Sequence, residues 1–280
     1  MPAAWVAHRM TGVWAANQAP TAVATASPNP ATTNTGVIAL TGTASSDPAP
    51  GTIASYLWEY VSGDRTGKFS APGGSTTNFT PDVVSYDWVG TDGAAWPTPP
   101  WSSTRSLSAA SAATIQGNRG RLAALSGAGG YADSASLVTD AAIPNDQEVE
   151  VAVYLSTLNE IYPRVHLRAN NAFVNTTYRF MMNALGNSFI LQRRVSDVES
   201  TLSSVSFTFD ANGVYMIRAQ AVGTTIRGRI WVQGTTEPSD WTISVTDSDI
   251  VSGLAGLGFG GGNTATSYSV EFDNLRVRAA

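Results

Sequence analysis

The 280-residue chain contains no cysteine. Disulfide staples and thiolate metal centres are therefore excluded, while either redox compartment stays open. Only two histidines occur, His8 and His166, so a metal centre needing two or three imidazoles is excluded as well. Charge is sparse: charged residues make up 13 %, and Lys68 is the single lysine among 16 basic residues. With a net charge of −5, no basic field points to nucleic acid or to an anionic membrane. No apolar run reaches the about 18 residues of a membrane-crossing helix, and no stretch of about ten residues carries a helical period. The opening segment, MPAAWVAHRMTGVWAANQAP, lacks the parts of a secretion signal, because its apolar pieces AAWVA and VWAA are short and are split by His8 and Arg9.

What is present favours strands. Hydrophobic residues make up 43 %, enough to fill a core and too apolar for a disordered chain. The 26 glycines and 14 prolines, with many Ser and Thr, supply turns. The expected class is all-β in three parts: an N-terminal arm (1–18), a small sandwich (19–84) and a larger two-sheet domain (85–280). In the arm, Trp5 and Trp14 read as docking residues, since tryptophan anchors interfaces when buried in a partner.

In the second part, the stretch from Val37 to Gly42 alternates with period two. SYLWEY puts Tyr56, Trp58 and Tyr60 on one face and Leu57 and Glu59 on the other. TAVATASPNP, GTASSDP, IASYLWEYVSG and FSAPGGSTTNFTP together resemble a polycystic-kidney-disease-type (PKD) immunoglobulin-like module over residues 20–82. The resemblance implies a buried tryptophan between two sheets. The closing strands of that family are missing, because TNFTPDVV runs straight into SYDWVGTDGAAW. The module therefore reads as an incomplete sandwich.

The third part reads as successive strands at 148–155, 163–169, 176–182, 188–195, 214–222 and 224–233. RGRIWVQGTTEPSDWTISVTDSDIVSGLAGLGFGGG and SYSVEFDNLRV resemble the C-terminal half of concanavalin A-like (laminin-G-like) jelly rolls. That resemblance implies two packed antiparallel sheets, on which lectins, glycanases and plain adhesion modules all occur. In the last strand, Tyr268, Val270 and Phe272 have one parity and Leu275 and Val277 the other, which predicts a bulge at Asp273–Asn274.

Residues of several chemistries are present. Gly256, Gly258 and Gly261 match a dinucleotide fingerprint, but no helix pattern follows. Glu148 and Glu150 share a strand face and could serve a retaining glycanase, though the third acid of that family's cluster is absent. No cofactor is expected; calcium is the one ion that loop carboxylates at Asp87, Asp247, Asp249 and Asp273 would suit. Arg164, His166 and Arg168 form one same-face row, and Arg227, Arg229 and Trp231 another. On a common sheet they would make a guanidinium-rich, aromatic surface for host glycans.

Exported-looking modules without a secretion signal suggest a bacteriophage virion protein, a minor tail or fibre component made in the host cytoplasm. The expected partners are other virion proteins, further copies of this chain and a host-surface glycan, with no nucleic acid and no membrane insertion. A glycan hydrolase and a capsid-decorating protein without ligand are the alternatives, as is a secreted or cell-surface location by a non-Sec route.

Overall fold

A computed structural model describes residues 20–27, 37–47, 52–59, 67–102, 105–107, 113–124, 132–139, 143–158, 160–170, 175–261 and 268–280. The expected docking arm, with Trp5 and Trp14, lies outside the described residues, as does Tyr60. The chain divides into two compact units, Met1–Val83 and Val84–Arg278.

The first unit contains β1 (Thr25–Ser27), β2 (Ile38–Thr41), β3 (Gly67–Phe69) and most of β4 (Thr76–Tyr86). They form one antiparallel sheet in the order β1-β2-β4-β3. Leu40, Trp58 and Phe79 make its core, with Ala26, Ile38 and Phe69 packed against them. The expected alternation holds locally: Trp58 is buried and Leu57 is 55 % exposed. The segment 52–59 nevertheless forms no strand. Trp58 is fixed by its backbone N–H donating to the Pro72 carbonyl (2.9 Å) and its indole N–H donating to the Gly74 carbonyl (2.8 Å). Among the described residues of this unit there is no second sheet of the kind an immunoglobulin sandwich needs.

The second unit is a sandwich of two antiparallel sheets. Its strands are β5 (Arg105–Leu107), β6 (Thr114–Gln116), β7 (Arg119–Ala124), β8 (Ala132–Leu137), β9 (Gln147–Tyr154), β10 (Ile161–Ala169), β11 (Thr177–Asn183), β12 (Ser188–Val195), β13 (Val198–Ser206), β14 (Val214–Val222), β15 (Thr225–Val232), β16 (Ile243–Thr246), β17 (Leu254–Gly261) and β18 (Tyr268–Ala279). Sheet I runs β18-β9-β14-β15-β16, with β7 on the start of β18 and β6 on β7. Sheet II runs β13-β12-β11-β10-β17-β8-β5. The Gly-rich GLGFGG is β17, with Leu257 and Phe259 fully buried, so it is a sheet strand and not a nucleotide loop.

The core lies between the sheets. Val149, Val151 and Val153 of β9, and Tyr215, Ile217 and Ala219 of β14, face Val165 and Leu167 of β10 and Tyr178 and Phe180 of β11; all are at most 1 % exposed. Burying each large side chain stabilises the fold by about 1.5–3 kcal/mol. Contact across the gap is close: a Cβ added at Gly228 would sit 2.4 Å from the Phe180 ring. The predicted bulge in β18 is present. Asn274 has a left-handed backbone (φ 53°), and Val270, Phe272, Leu275 and Val277 are all buried despite their opposite parities.

Aromatic packing secures the start of this unit. Trp88 and Trp101 stack at 5.5 Å, Trp96 lies 4.6 Å from Trp101, and Tyr86 meets Trp88 edge-on at 5.3 Å. Trp88 rests on Gly120, where an added Cβ would come within 2.3 Å of the indole.

Candidate functional site

Residues of sheet I that alternate with the core rows point away from sheet II. Strand register arranges them in rows across the sheet. Glu148 pairs with Gln220 and Gln220 with Arg227; Glu150 pairs with Arg218 and Arg218 with Arg229. Ala152 pairs with Met216 and Met216 with Trp231, while Tyr154 pairs with Val214 at the end. Arg278 of β18 reaches the same face, 3.7 Å from Glu148 and 3.6 Å from Glu150.

Arg218 organises this surface. Its guanidinium donates two hydrogen bonds to one Glu150 oxygen and pairs with Glu148 (3.6 Å) and Glu237 (2.6 Å). Burial works against its charge, but Glu150, Glu148 and Glu237 outweigh burial and raise its pKa above the ordinary arginine value. Gln220 donates its amide to Glu148 (3.0 Å) and accepts from Arg227 Nε (2.6 Å). Arg229 pairs with Glu237 (3.1 Å) and donates to the Pro238 carbonyl. Trp241, from the segment after β15, lies over both neighbouring arginines; its ring is 4.5 Å from the Arg227 guanidinium carbon and 4.0 Å from that of Arg229.

This arrangement bears on the glycanase reading. A retaining glycosidase needs one carboxyl to donate a proton and another to attack the sugar. Glu148 and Glu150 are instead both engaged by Arg218 and Arg278. Two residues further along the same face stands Ala152, fully buried, where no acid is supplied.

The two basic rows expected on one surface are on opposite sheets: Arg164, His166 and Arg168 on β10 of sheet II, and Arg227, Arg229 and Trp231 on β15 of sheet I. They make no common surface. Nor does the β10 row hold together. Arg164 (3 % exposed) donates to Asp133 at 2.9 Å, and His166 Nδ1 lies 3.3 Å from the Thr177 hydroxyl. Arg168 leaves that face because the pairing of β10 with β17 slips between His166 and Ala169, and its own φ is 49°. Its guanidinium is 1 % exposed and donates to the carbonyls of Asn145 (2.9 Å), Gly223 (2.8 Å) and Ile250 (2.9 Å) and to Asp146 (3.0 Å). It is an internal tie between loops.

The four candidate calcium ligands do not converge. Asp247 and Asp249 both pair with Arg193. Burial pushes Asp247 up, but hydrogen bonds from Tyr178 and the Asp249 N–H, with Arg193, hold it below the usual carboxylate range. Asp87 pairs with Arg276 at 2.7 Å. Asp273 accepts from the Asn274 N–H (2.8 Å), and burial followed by the Asp87 charge raises its pKa. Among the described residues, no group of three or more acidic or imidazole side chains could hold a metal ion.

Sequence reasoning left out Arg218, Glu237, Trp241 and Arg278. The parity of YMIRAQAV does put Met216, Arg218 and Gln220 opposite Tyr215, Ile217 and Ala219, so the direction of Arg218 was readable. Its partners on β9 and after β15 depend on strand order, which carries no local signal.

No protein-family model and no curated protein matches this chain. Solved structures do. One, described as "Prominent members of the human gut microbiota express endo-acting O-glycanases to initiate mucin breakdown", aligns with a TM-score of 0.50 at 10 % identity, over 71 % of this chain and 99 % of that one. A β-1,3-glucanase from Mycobacterium marinum aligns at 0.49 with 11 % identity, over 70 % and 98 %. The carbohydrate-binding module CBM66 from Bacillus subtilis aligns at 0.47 with 17 % identity, over 64 % and 95 %. At these identities the likeness is one of fold, and with the two antiparallel sheets it makes the protein all-β with a concanavalin A-like jelly roll.

Proposed function

We propose that the second unit binds glycans on the outer face of sheet I. One observation carries this reading: the half-buried Trp241 lies across the half-buried Arg227 and Arg229 on this face. Sugar rings offer an apolar C–H face and a rim of hydroxyls. An indole takes the first, and guanidinium, amide and carboxylate groups take the second. The fold shared with the O-glycanase structure supports the reading in general terms.

Hydrolysis is the second reading, favoured by Glu148 and Glu150 on the same face. Their engagement with Arg218 and Arg278 makes binding without cleavage the better fit. A place on a virus particle, among tail or fibre proteins, is the finer proposal for where this binding is used; proteomics of purified particles tests it.

The function is tested on arrayed glycans and purified cell-wall polysaccharide with the full chain. Trp241→Ala should weaken retention about two- to twelvefold, the equivalent of losing about 0.5–1.5 kcal/mol of aromatic contact. Retention of no glycan by the folded wild type would refute the reading. Release of reducing ends that is lost in Glu148→Gln would replace it with hydrolysis.

A further inference from the structure

At the Tyr154 end of the same face there is an open cavity of about 260 Å³, between the starts of β7, β14 and β18 and the end of β9. Arg119, Tyr154, Ser156, Asn212, Ser269 and Glu271 line it. The Arg119 guanidinium carbon lies over the Tyr154 ring, 3.6 Å from its centroid, and Arg119 donates to Glu271 at 3.1 Å. Both charged side chains keep an open side, at 38 % and 24 % exposure.

We infer that this cavity is a pocket for a single neutral sugar residue; the inference rests on the glycan-binding reading and names its ligand class. Three features argue for it. First, the charges cancel: Arg119 and Glu271 are one cation and one anion in contact, so neither a free acid nor a free amine gains a net attraction. Second, the pair sets a fan of N–H donors beside a carboxylate acceptor, the complement of two adjacent hydroxyls, each of which gives and takes a hydrogen bond. The hydroxyls of Ser156 and Ser269 and the amide of Asn212 extend the same polar rim. Third, the volume falls below the about 300–1,000 Å³ of drug-sized sites, which limits the occupant to about one ring.

The neighbouring platform gives the pocket a role. Trp231 is paired through Met216 with Ala152, one outward position before Tyr154. Outward positions on a strand are about 6.7 Å apart. A glycan with one residue in the pocket therefore passes its next residues along the face towards the half-buried Trp241, so the pocket selects a terminal or branching residue and Trp241 holds the adjoining chain.

The test uses isotope-labelled full-length protein and a panel of methyl glycosides of glucose, galactose and mannose, with methyl glucuronide as the anionic control. At least one neutral glycoside should shift the backbone amides of Ser156, Gly213, Ser269 and Glu271. Ser269→Trp, which fills the cavity, should weaken that binding at least tenfold. Glu271→Gln, which removes the acceptor charge at nearly constant shape, should weaken it severalfold and serves where the tryptophan variant fails to fold. The pocket is refuted if no panel member shifts these amides, if both variants bind as the wild type does, or if the glucuronide binds tenfold tighter than the neutral sugars. If Ser269→Trp and Glu271→Gln retain polysaccharide unchanged while Trp241→Ala loses it, the pocket falls and the glycan-binding face stands. If the wild type retains no glycan, both fall.

Discussion

Removing the Arg168 side chain separates a structural role from a ligand-binding one. Its guanidinium satisfies three backbone carbonyls, from Asn145, Gly223 and Ile250, and pairs with the half-exposed Asp146. In Arg168→Ala the Ile250 carbonyl, which sits at a buried bond, is left without its donor, at about 1–3 kcal/mol. The Asn145 and Gly223 carbonyls are only partly buried and recover water, so each loses about 1 kcal/mol. The exposed Asp146 arm adds at most about 1 kcal/mol. The total is about 3–6 kcal/mol, which at about 2–4 °C per kcal/mol for a unit of this size lowers the melting temperature by roughly 6–24 °C. Arg168→Gly should be less damaging than Arg168→Ala by about 1 kcal/mol, because φ is 49° there and glycine adopts that backbone without strain. Scanning calorimetry of the full chain reads these shifts, with retention on glycan measured in parallel below the transition. A drop under 2 °C in the alanine variant (the smallest shift about 1 kcal/mol gives), or lost glycan retention at unchanged stability, would refute the reasoning.

Two further outcomes follow from other sites. Burial, reinforced by the hydrogen bond to Asp247, raises the Tyr178 pKa, so the folded state holds the phenol proton more tightly than the unfolded chain. The stability this contributes is complete below about pH 10 and is lost as pH rises above it. Asp247 is held low, so its contribution is present above about pH 4 and is lost as pH falls below that. Tyr178→Phe should flatten the alkaline limb of a stability-versus-pH curve, though burial of Tyr86 keeps part of it; an unchanged limb counts against the assignment. At the β18 bulge, Asn274 has φ 53°. Asn274→Val should cost about 1–2 kcal/mol and Asn274→Gly almost nothing, so equal urea midpoints for the two variants would contradict the bulge geometry.

How much of this was legible depends on how local each signal is. β9, β10, β12, β14 and β15 fall within two residues of the stretches read from period-two patterning. The β18 bulge followed from the parity change between Phe272 and Leu275 alone. β13 was missed because VESTLSSVS has little apolar content; it is an edge strand whose residues are exposed or half-buried, held by backbone pairing to β12. In the first unit the direction of Trp58 was readable, but its anchoring by the Pro72–Gly74 turn was not. At the site, parity gave the facing of Arg227, Arg229 and Trp231. It could not say that β10 belongs to the other sheet, since both strands alternate basic and apolar residues and sheet membership is decided by distant pairings. Arg168 looked like the third member of a regular row because a bulge leaves no mark in R-V-H-L-R.

An arginine-rich sheet surface invites the expectation of an anionic ligand, and the pairing pattern argues otherwise. Arg164 is matched by Asp133, Arg179 by Glu199, Arg193 by Asp247 and Arg276 by Asp87. On the outer face of sheet I, Arg218, Arg229 and Arg278 stand against Glu148, Glu150 and Glu237. Glu148 and Glu150 thus act as counter-charges that let the Arg218 and Arg278 guanidinium groups sit in a sheet surface at about one-twentieth exposure, where an uncompensated charge would be expensive. The same cancellation recurs at Arg119 and Glu271. A surface built this way keeps the directional hydrogen bonding of its charged groups and gives up their long-range field. That combination suits neutral polyhydroxyl ligands better than acidic ones, because neutral sugars are recognised by placement of donors and acceptors and not by attraction from a distance.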